Sequence, residues 1–172
     1  MRFMPAMGRI APAVILATTL FGCAGKEPGT AGADSSAGST TVAAAGTAQT
    51  SGAEIYQRCV SCHQANGEGT TGTFPPLAGS EYATAANVDV PINILLRGMQ
   101  GPVTVKGVTY NGLMPPYGLG IEMTDEEVAA VLTHVRSSWG NSASAITPQQ
   151  VAAVRASKKA GPATADELKP MM

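Results

Sequence analysis

The chain has 172 residues and a formal net charge of −1, so it carries no basic surplus of the kind that binds nucleic acid. Its length suits one modest domain with extra segments. Aromatic residues, at 5%, leave that domain a thin core of its own.

At the N-terminus, residues 1–9 hold Arg2 and Arg9 and no acid, and an apolar stretch runs from Ile10 to Phe21. The stretch is short for a membrane span and contains Pro12, so residues 1–22 read as a secretory signal peptide. Its end, Leu20-Phe21-Gly22-Cys23, resembles the lipobox of bacterial lipoproteins, although Phe21 is bulky for that place. The resemblance implies cleavage before Cys23 and lipidation of that residue; ordinary cleavage after Ala24 is the alternative. Several acyl chains on one cysteine anchor stably. The expected location is therefore the periplasmic side of a bacterial membrane, or the soluble periplasm without the lipid. Residues 23–51 are mostly Ala, Gly, Ser and Thr and lack the apolar side chains that would offset the entropy of folding. They are expected to form a flexible linker with a reach of roughly 30 Å.

The folded domain is expected over 52–141. Gly52 to Cys62 reads as a helix with Ile55, Tyr56, Cys59 and Val60 on its inner side, and it ends in Cys59-Val60-Ser61-Cys62-His63. This C-x-x-C-H run is the covalent attachment motif of a c-type haem. Cysteines three apart on a helix share a face and can meet two vinyl groups on one porphyrin edge, while His63 reaches the iron. A thioredoxin-like dithiol needs a βαβ context that is not visible. A structural zinc site needs four ligands, and the chain has three Cys, one of them in the targeting segment, and two His. With Cys59 and Cys62 in thioethers and Cys23 lipidated, no free thiol remains, which suits an oxidising compartment.

Gln64 to Ser80 is expected as a loop, ending in Phe74-Pro75-Pro76-Leu77-Ala78-Gly79. Asp89 suits an N-cap, Pro91 a first turn, and Ile92, Leu95, Leu96 and Met99 recur at helical spacing. Val103-Thr104-Val105 and Val108-Thr109-Tyr110 flank Lys106-Gly107 as a small β-hairpin. Thr124 to Glu127 is a capping box, followed by an apolar stripe of Val128, Val131, Leu132, Val135 and Trp139 that Gly140-Asn141 stops. In residues 142–172 a second capping box, Thr147 to Gln150, opens a helix to about Lys159, and the last ten residues are expected to be disordered.

A six-coordinate haem needs a second axial ligand, for which Met99, Met114, Met123 and His134 are the candidates within the domain. Met99 sits on a helical stripe, Met123 beside a capping residue, and His134 about 120° off its helix stripe at 100° per residue, as for a surface side chain. Met114 precedes Pro115 in a loop between the hairpin and the last strong helix, where proline holds the backbone extended.

Taken together, Cys59-Cys62-His63, Pro76-Leu77-Ala78-Gly79, Met114-Pro115 and the helix reaching Trp139 resemble class I c-type cytochromes in kind and in order. The resemblance covers Gly52 to Asn141. It implies an all-α fold wrapped around one covalent haem c, with a small β-hairpin insertion and the first and last helices crossing. It implies a Pro76 carbonyl on the free ring nitrogen of His63, and Met114 as the thioether ligand. Cofactor-binding residues are then Cys59, Cys62, His63 and Met114, of which His63 and Met114 hold the iron. A narrower likeness, through the hairpin, Met-Pro-Pro-Tyr and Val135 to Asn141, is to membrane-associated cytochrome domains of periplasmic alcohol dehydrogenases, copper nitrite reductases and terminal oxidases; His134 stands where those have an aromatic.

The implied role is one-electron transfer between respiratory redox partners, a donor and an acceptor, and not catalysis. A cytochrome subunit of a dehydrogenase or reductase complex is the alternative. A haem peroxidase, nitrite reductase or gas sensor would need a displaceable Met. Between Gly52 and Asn141 four basic residues face eight acidic ones. Docking is therefore expected through an apolar patch near Met114-Pro115-Pro116-Tyr117.

Overall fold

A computed structural model describes residues 50–172. The signal peptide, Cys23 and nearly all of the linker lie outside the described residues. None of the described helices is long and apolar enough to cross a membrane.

Helix α1 (Gly52–Tyr56) opens on a capping box between Ser51 and Glu54. The expected single helix to Cys62 does not persist. The N–H groups of Gln57, Arg58 and Cys59 reach the carbonyls three residues back, at 3.2, 3.1 and 2.8 Å. That tightened turn re-aims the chain, and a separate short helix, α2 (Val60–His63), carries the rest of the motif. Ile55 and Tyr56 are buried. A Cβ on Gly52 would lie 2.2 Å from the Ala130 carbonyl oxygen, so glycine is what lets α1 cross α4 (Asp125–Ser137) closely.

Helix α3 (Asp89–Arg97) begins at Asp89 itself, with Val88 as N-cap in place of the expected Asp89, and the Asn87 side chain accepts the Asp89 N–H at 3.0 Å. It stops at Gly98, where φ is +71°. Met99 consequently leaves the helical stripe and starts a strand. Strands β1 (Met99–Val105) and β2 (Val108–Met114) pair antiparallel in unbroken register from Met99 opposite Met114 to Val105 opposite Val108. Lys106 and Gly107 both have positive φ, 50° and 77°, as a two-residue turn with the twist of the strands requires. The hairpin is thus longer than expected, and Met114 is the last residue of a strand rather than part of a loop.

Helix α4 has the expected capping box at Thr124 and buries Val128, Val131, Leu132 and Val135. Ser138 is extended and Trp139 has φ +52°, so Trp139 lies just past the helix. Its ring still meets α1, with its centroid 4.9 Å from that of Tyr56. Arg136 is buried and donates to the carbonyls of Ala83, Ala85 and Ser144 at 2.8, 3.0 and 2.7 Å, gathering two loops around α4. Burial lowers its pKa.

Helix α5 (Pro148–Ser157) follows its capping box as expected. The expected disordered tail is ordered instead. Residues beyond Gly161 form α6 (Ala165–Leu168) and one 3₁₀ turn, and Ala163 and Leu168 are completely buried. Few apolar residues with no long period hid this packing from a local reading; it comes from contacts some 65 residues away in sequence. The core has two parts. One joins α1, α3, α4 and α5; the other joins the hairpin to the tail, and Met114 packs against both.

Candidate functional site

The motif sits where the tight turn enters α2. Cys59 is the residue before α2 and its carbonyl accepts the His63 N–H at 2.9 Å, closing one helical turn between the first cysteine and the histidine. Both cysteines are half-buried, unpaired thiols. Burial pushes the Cys59 thiol up to about 11. A disulfide-exchanging cysteine needs the reverse, a lowered pKa, so the structure weighs against dithiol redox chemistry.

His63 is buried, and its Nδ1 lies 2.9 Å from the Pro75 carbonyl oxygen. A carbonyl only accepts, so Nδ1 bears the proton and Nε2 keeps its lone pair. Burial lowers the His63 pKa, and the Pro75 contact offsets this only in part, so the ring is held neutral. The carbonyl belongs to Pro75 and not to Pro76 as expected. Counted from Pro75, Pro75-Pro76-Leu77-Ala78-Gly79 has the P-x-L-x-G spacing; the doubled proline makes the frame easy to misplace by one.

The loop carrying Pro75 is fixed from several sides. The Gly67 carbonyl accepts from the N–H groups of Leu77 and Ala78 at 2.7 and 3.0 Å, and the His63 carbonyl accepts from Gly69 at 3.0 Å. Asn141 is the residue that sequence reasoning missed. Its amide donates to the carbonyls of Leu77 and Val135 at 3.1 and 2.7 Å, and its oxygen accepts the Gly79 N–H at 2.8 Å. It ties the end of α4 to the loop behind His63. Trp139 Nε1 donates to the Ala65 carbonyl at 3.1 Å, and its ring covers Gly67, where a Cβ would come within 2.4 Å of it.

Cys59, Cys62, His63 and Met114 all line one apolar slot that opens to solvent. One wall is the inner face of the hairpin, with Met99, Val103, Val105, Tyr110 and Met114 on it. In that wall Gly101 stands opposite Gly112, and a Cβ on Gly101 would meet nothing within 4 Å. A flat ring can approach the backbone there. Arg58 is the one charged side chain among the described residues of the lining, suited to a group that bears carboxylates. Two thiols, a neutral imidazole and a thioether around an apolar slot fit haem c. Among the described residues no cluster of three or more His, Cys, Asp or Glu could hold a bare metal ion.

The other ligand candidates separate clearly. His134 is absent from the slot; it is half-buried between the rings of Tyr56 and Trp139, at 5.6 and 5.7 Å, with Nδ1 3.3 Å from Ser138 Oγ. It is thus a packed residue and not a surface one. Met123 is buried in the main core away from the slot. Met99 was expected only in the core; it is buried there and lines the slot as well. The expected apolar patch needs correcting at Tyr117, which is buried with its hydroxyl accepting from Arg155 at 2.8 Å. Pro115 and Pro116 are exposed, and Leu113, Leu119 and Ile121 join them on the surface.

Comparison with known proteins agrees with this geometry. The family model for cytochrome c matches residues 49–139. The chain is 41% identical over 135 residues to cytochrome c-552 of Thermus thermophilus, a match covering 66% of this chain and 88% of that protein. It is 30% identical over 103 residues to the cytochrome c subunit of a quinone-type alcohol dehydrogenase of Gluconacetobacter polyoxogenes, covering 59% of this chain and 21% of the subunit. It is 32% identical over 121 residues to the fructose dehydrogenase cytochrome subunit of Gluconobacter japonicus, covering 67% of this chain and 24% of the subunit.

Proposed function

The chain belongs to the cytochrome c family, whose cofactor is covalently bound haem c, and we propose that it is a one-electron carrier with His63 and Met114 as axial ligands. The observation that carries the reading is the shared slot. One lining holds two thiols, an imidazole whose Nδ1 is committed to Pro75, and the Met114 thioether. The sequence holds one C-x-x-C-H and therefore one haem site.

When bound, haem c supplies a one-electron iron couple. Cys59 and Cys62 would tether it. His63 would offer Nε2, and the Pro75 carbonyl would make that nitrogen a better donor by drawing on the Nδ1 proton. Met114 would offer a soft, neutral sulfur, which with the apolar slot disfavours added positive charge and raises the potential. With both axial places taken, no position is left for a substrate. No second histidine and no carboxylate among the described residues lines the slot, so a peroxidase or reductase reading lacks the groups that most often serve as its acid and base.

The subunit reading keeps the same chemistry and changes only the permanence of the partner. It is favoured by the dehydrogenase subunits among the relatives, yet the match spans about a fifth to a quarter of those and most of the Thermus protein. The free carrier is therefore the preferred form. We place it on the periplasmic side of a membrane through lipidated Cys23, on the strength of Leu20-Phe21-Gly22-Cys23 alone. A Cys23→Ala chain should then leave the membrane fraction; retention there would refute the anchor.

An optical redox titration of the purified holoprotein tests the central reading. One reversible one-electron wave at fairly high potential is expected, and two waves or a strongly negative potential would contradict it. Purification in mild detergent separates the two partner readings: a stoichiometric dehydrogenase would replace the free carrier by the subunit.

A further inference from the structure

We propose that the C-terminal segment from Gly161 to Met171 is a strap that positions the Met114 ligand through β1, with Arg97 and Glu167 as its positioning residues. The inference rests on Met114 being an axial ligand.

Met114 is the last residue of β2 and has one strand partner at its level, Met99. The other edge of β1 is covered there by the tail. The Gln100 N–H donates to the Ala163 carbonyl and the Ala163 N–H to the Gly98 carbonyl, both at 3.0 Å, so Ala163 bridges Met99 in parallel. The ligand end of the hairpin is thus locally three-stranded, in the order Met114, Met99, Ala163. A two-stranded hairpin is marginal alone, and a third strand is the usual remedy.

Arg97 pins this third strand. Its side chain is 4% exposed. It holds Glu167 by two bonds of 2.7 and 2.9 Å and the carbonyls of Gly161 and Pro162 at 3.0 and 3.3 Å. These partners lie on both sides of Ala163 in sequence. Arg97 is two residues before Met99, so the pin acts at the root of β1. Leu168 and Ala165 then join the buried cluster that holds Val103, Val105 and Tyr110 of the hairpin.

His63 is held differently, by α2, Pro75 and Asn141, within reach of the main core. Loosening the strap should therefore free the Met114 side and leave the His63 side and both thioether bonds intact. That asymmetry separates positioning from general stability.

The test uses full-length holoprotein and measures imidazole binding to the oxidised form, which requires the thioether to leave first, together with the reduction potential. Glu167→Gln, which removes the carboxylate from the 4% exposed Arg97 side chain, should raise the binding rate roughly tenfold and lower the potential. Leu168→Ala, which empties the strap's anchor and keeps the ion pair, should act in the same direction and serves if the first variant folds poorly. Thr147→Ala removes the α5 cap far from the hairpin and should change neither readout while lowering the melting temperature. If Glu167→Gln and Leu168→Ala melt earlier but keep the wild-type rate and potential, the strap is structural only and the proposal falls. If the unmodified protein already takes up imidazole without a slow step, the Met114 reading itself falls, and that result needs no variant.

Discussion

At the scale of single residues, the behaviour of the site turns on hydrogen bonds that no motif spells out. The Pro75 carbonyl decides which nitrogen of His63 is bare, and burial keeps the ring neutral. Asn141 holds the loop that carries Pro75 by satisfying two carbonyls and one N–H at once. Asn141→Ala removes the partner of the Gly79 N–H and of the Val135 carbonyl, while the Leu77 carbonyl keeps the Ser80 N–H at 3.3 Å; at about 1–3 kcal/mol for a buried unsatisfied group the chain should lose about 3 kcal/mol in urea unfolding. The potential should move upward in the same variant, because a loosened Pro75 makes His63 a weaker donor. A change under about 0.5 kcal/mol, the level of an ordinary surface substitution, would show that Asn141 does not hold the loop. The cysteines and His63 were legible because their spacing is chemically specific. Asn141 was not, since a polar residue after a helix looks like a stop signal, and its partners Leu77 and Gly79 lie more than 60 positions away.

At the scale of elements, strand and helix ends place His63 and Met114. Gly98 ends α3 with φ +71°, and a Cβ there would lie 2.3 Å from the Met114 carbonyl oxygen. Gly98→Ala therefore combines a backbone conformation confined to glycine, φ +71° with ψ −177°, costing an alanine about 1–3 kcal/mol, with a clash against the Met114 peptide. The variant should unfold earlier and show a lower potential, read by thermal melting and redox titration. An unchanged potential would mean that Met114 tolerates displacement. The capped helices α4 and α5 and the hairpin turn were readable because each is announced within four or five residues. The break between α1 and α2 was not, because the apolar pattern of Ile55, Tyr56, Cys59 and Val60 suits one continuous helix; the tightening follows from bonds to carbonyls three residues back. Met99 was misplaced onto α3 for a related reason. Its spacing continues the stripe, and only the glycine before it ends the helix.

At the scale of the whole molecule, two clusters divide the work: the main core carries the His63 side, while hairpin and tail carry the Met114 side. Two of the four basic residues of 52–141, Arg97 and Arg136, are buried, so the surface that meets partners is more acidic than the sequence count implies. Their burial was invisible in sequence, since a helix arginine reads as a solvated charge until its carbonyl and carboxylate partners are known. The join between tail and hairpin has a pH signature. Arg97 beside Glu167, joined by Lys159 at 3.2 Å, holds that carboxyl at about 2, below its ordinary 4.5. A depressed carboxylate stabilises the folded state above the unfolded value, and the gain is lost as pH falls through the folded one. The stability difference between wild type and Glu167→Gln should therefore be constant above about pH 4.5 and shrink towards zero near pH 2. Acid unfolding followed by circular dichroism checks this, and a difference that persists unchanged to pH 2 would contradict the pairing.

With His63 and Met114 both on the iron, as proposed, this chain would fill both axial positions. Carbon monoxide added to the reduced holoprotein, with Met114→Ala beside it, tests that directly by optical spectroscopy. An unchanged spectrum is expected for the wild type and a prompt shift for the variant. A prompt shift in the wild type would contradict it, leaving an open iron position and chemistry other than simple electron carriage.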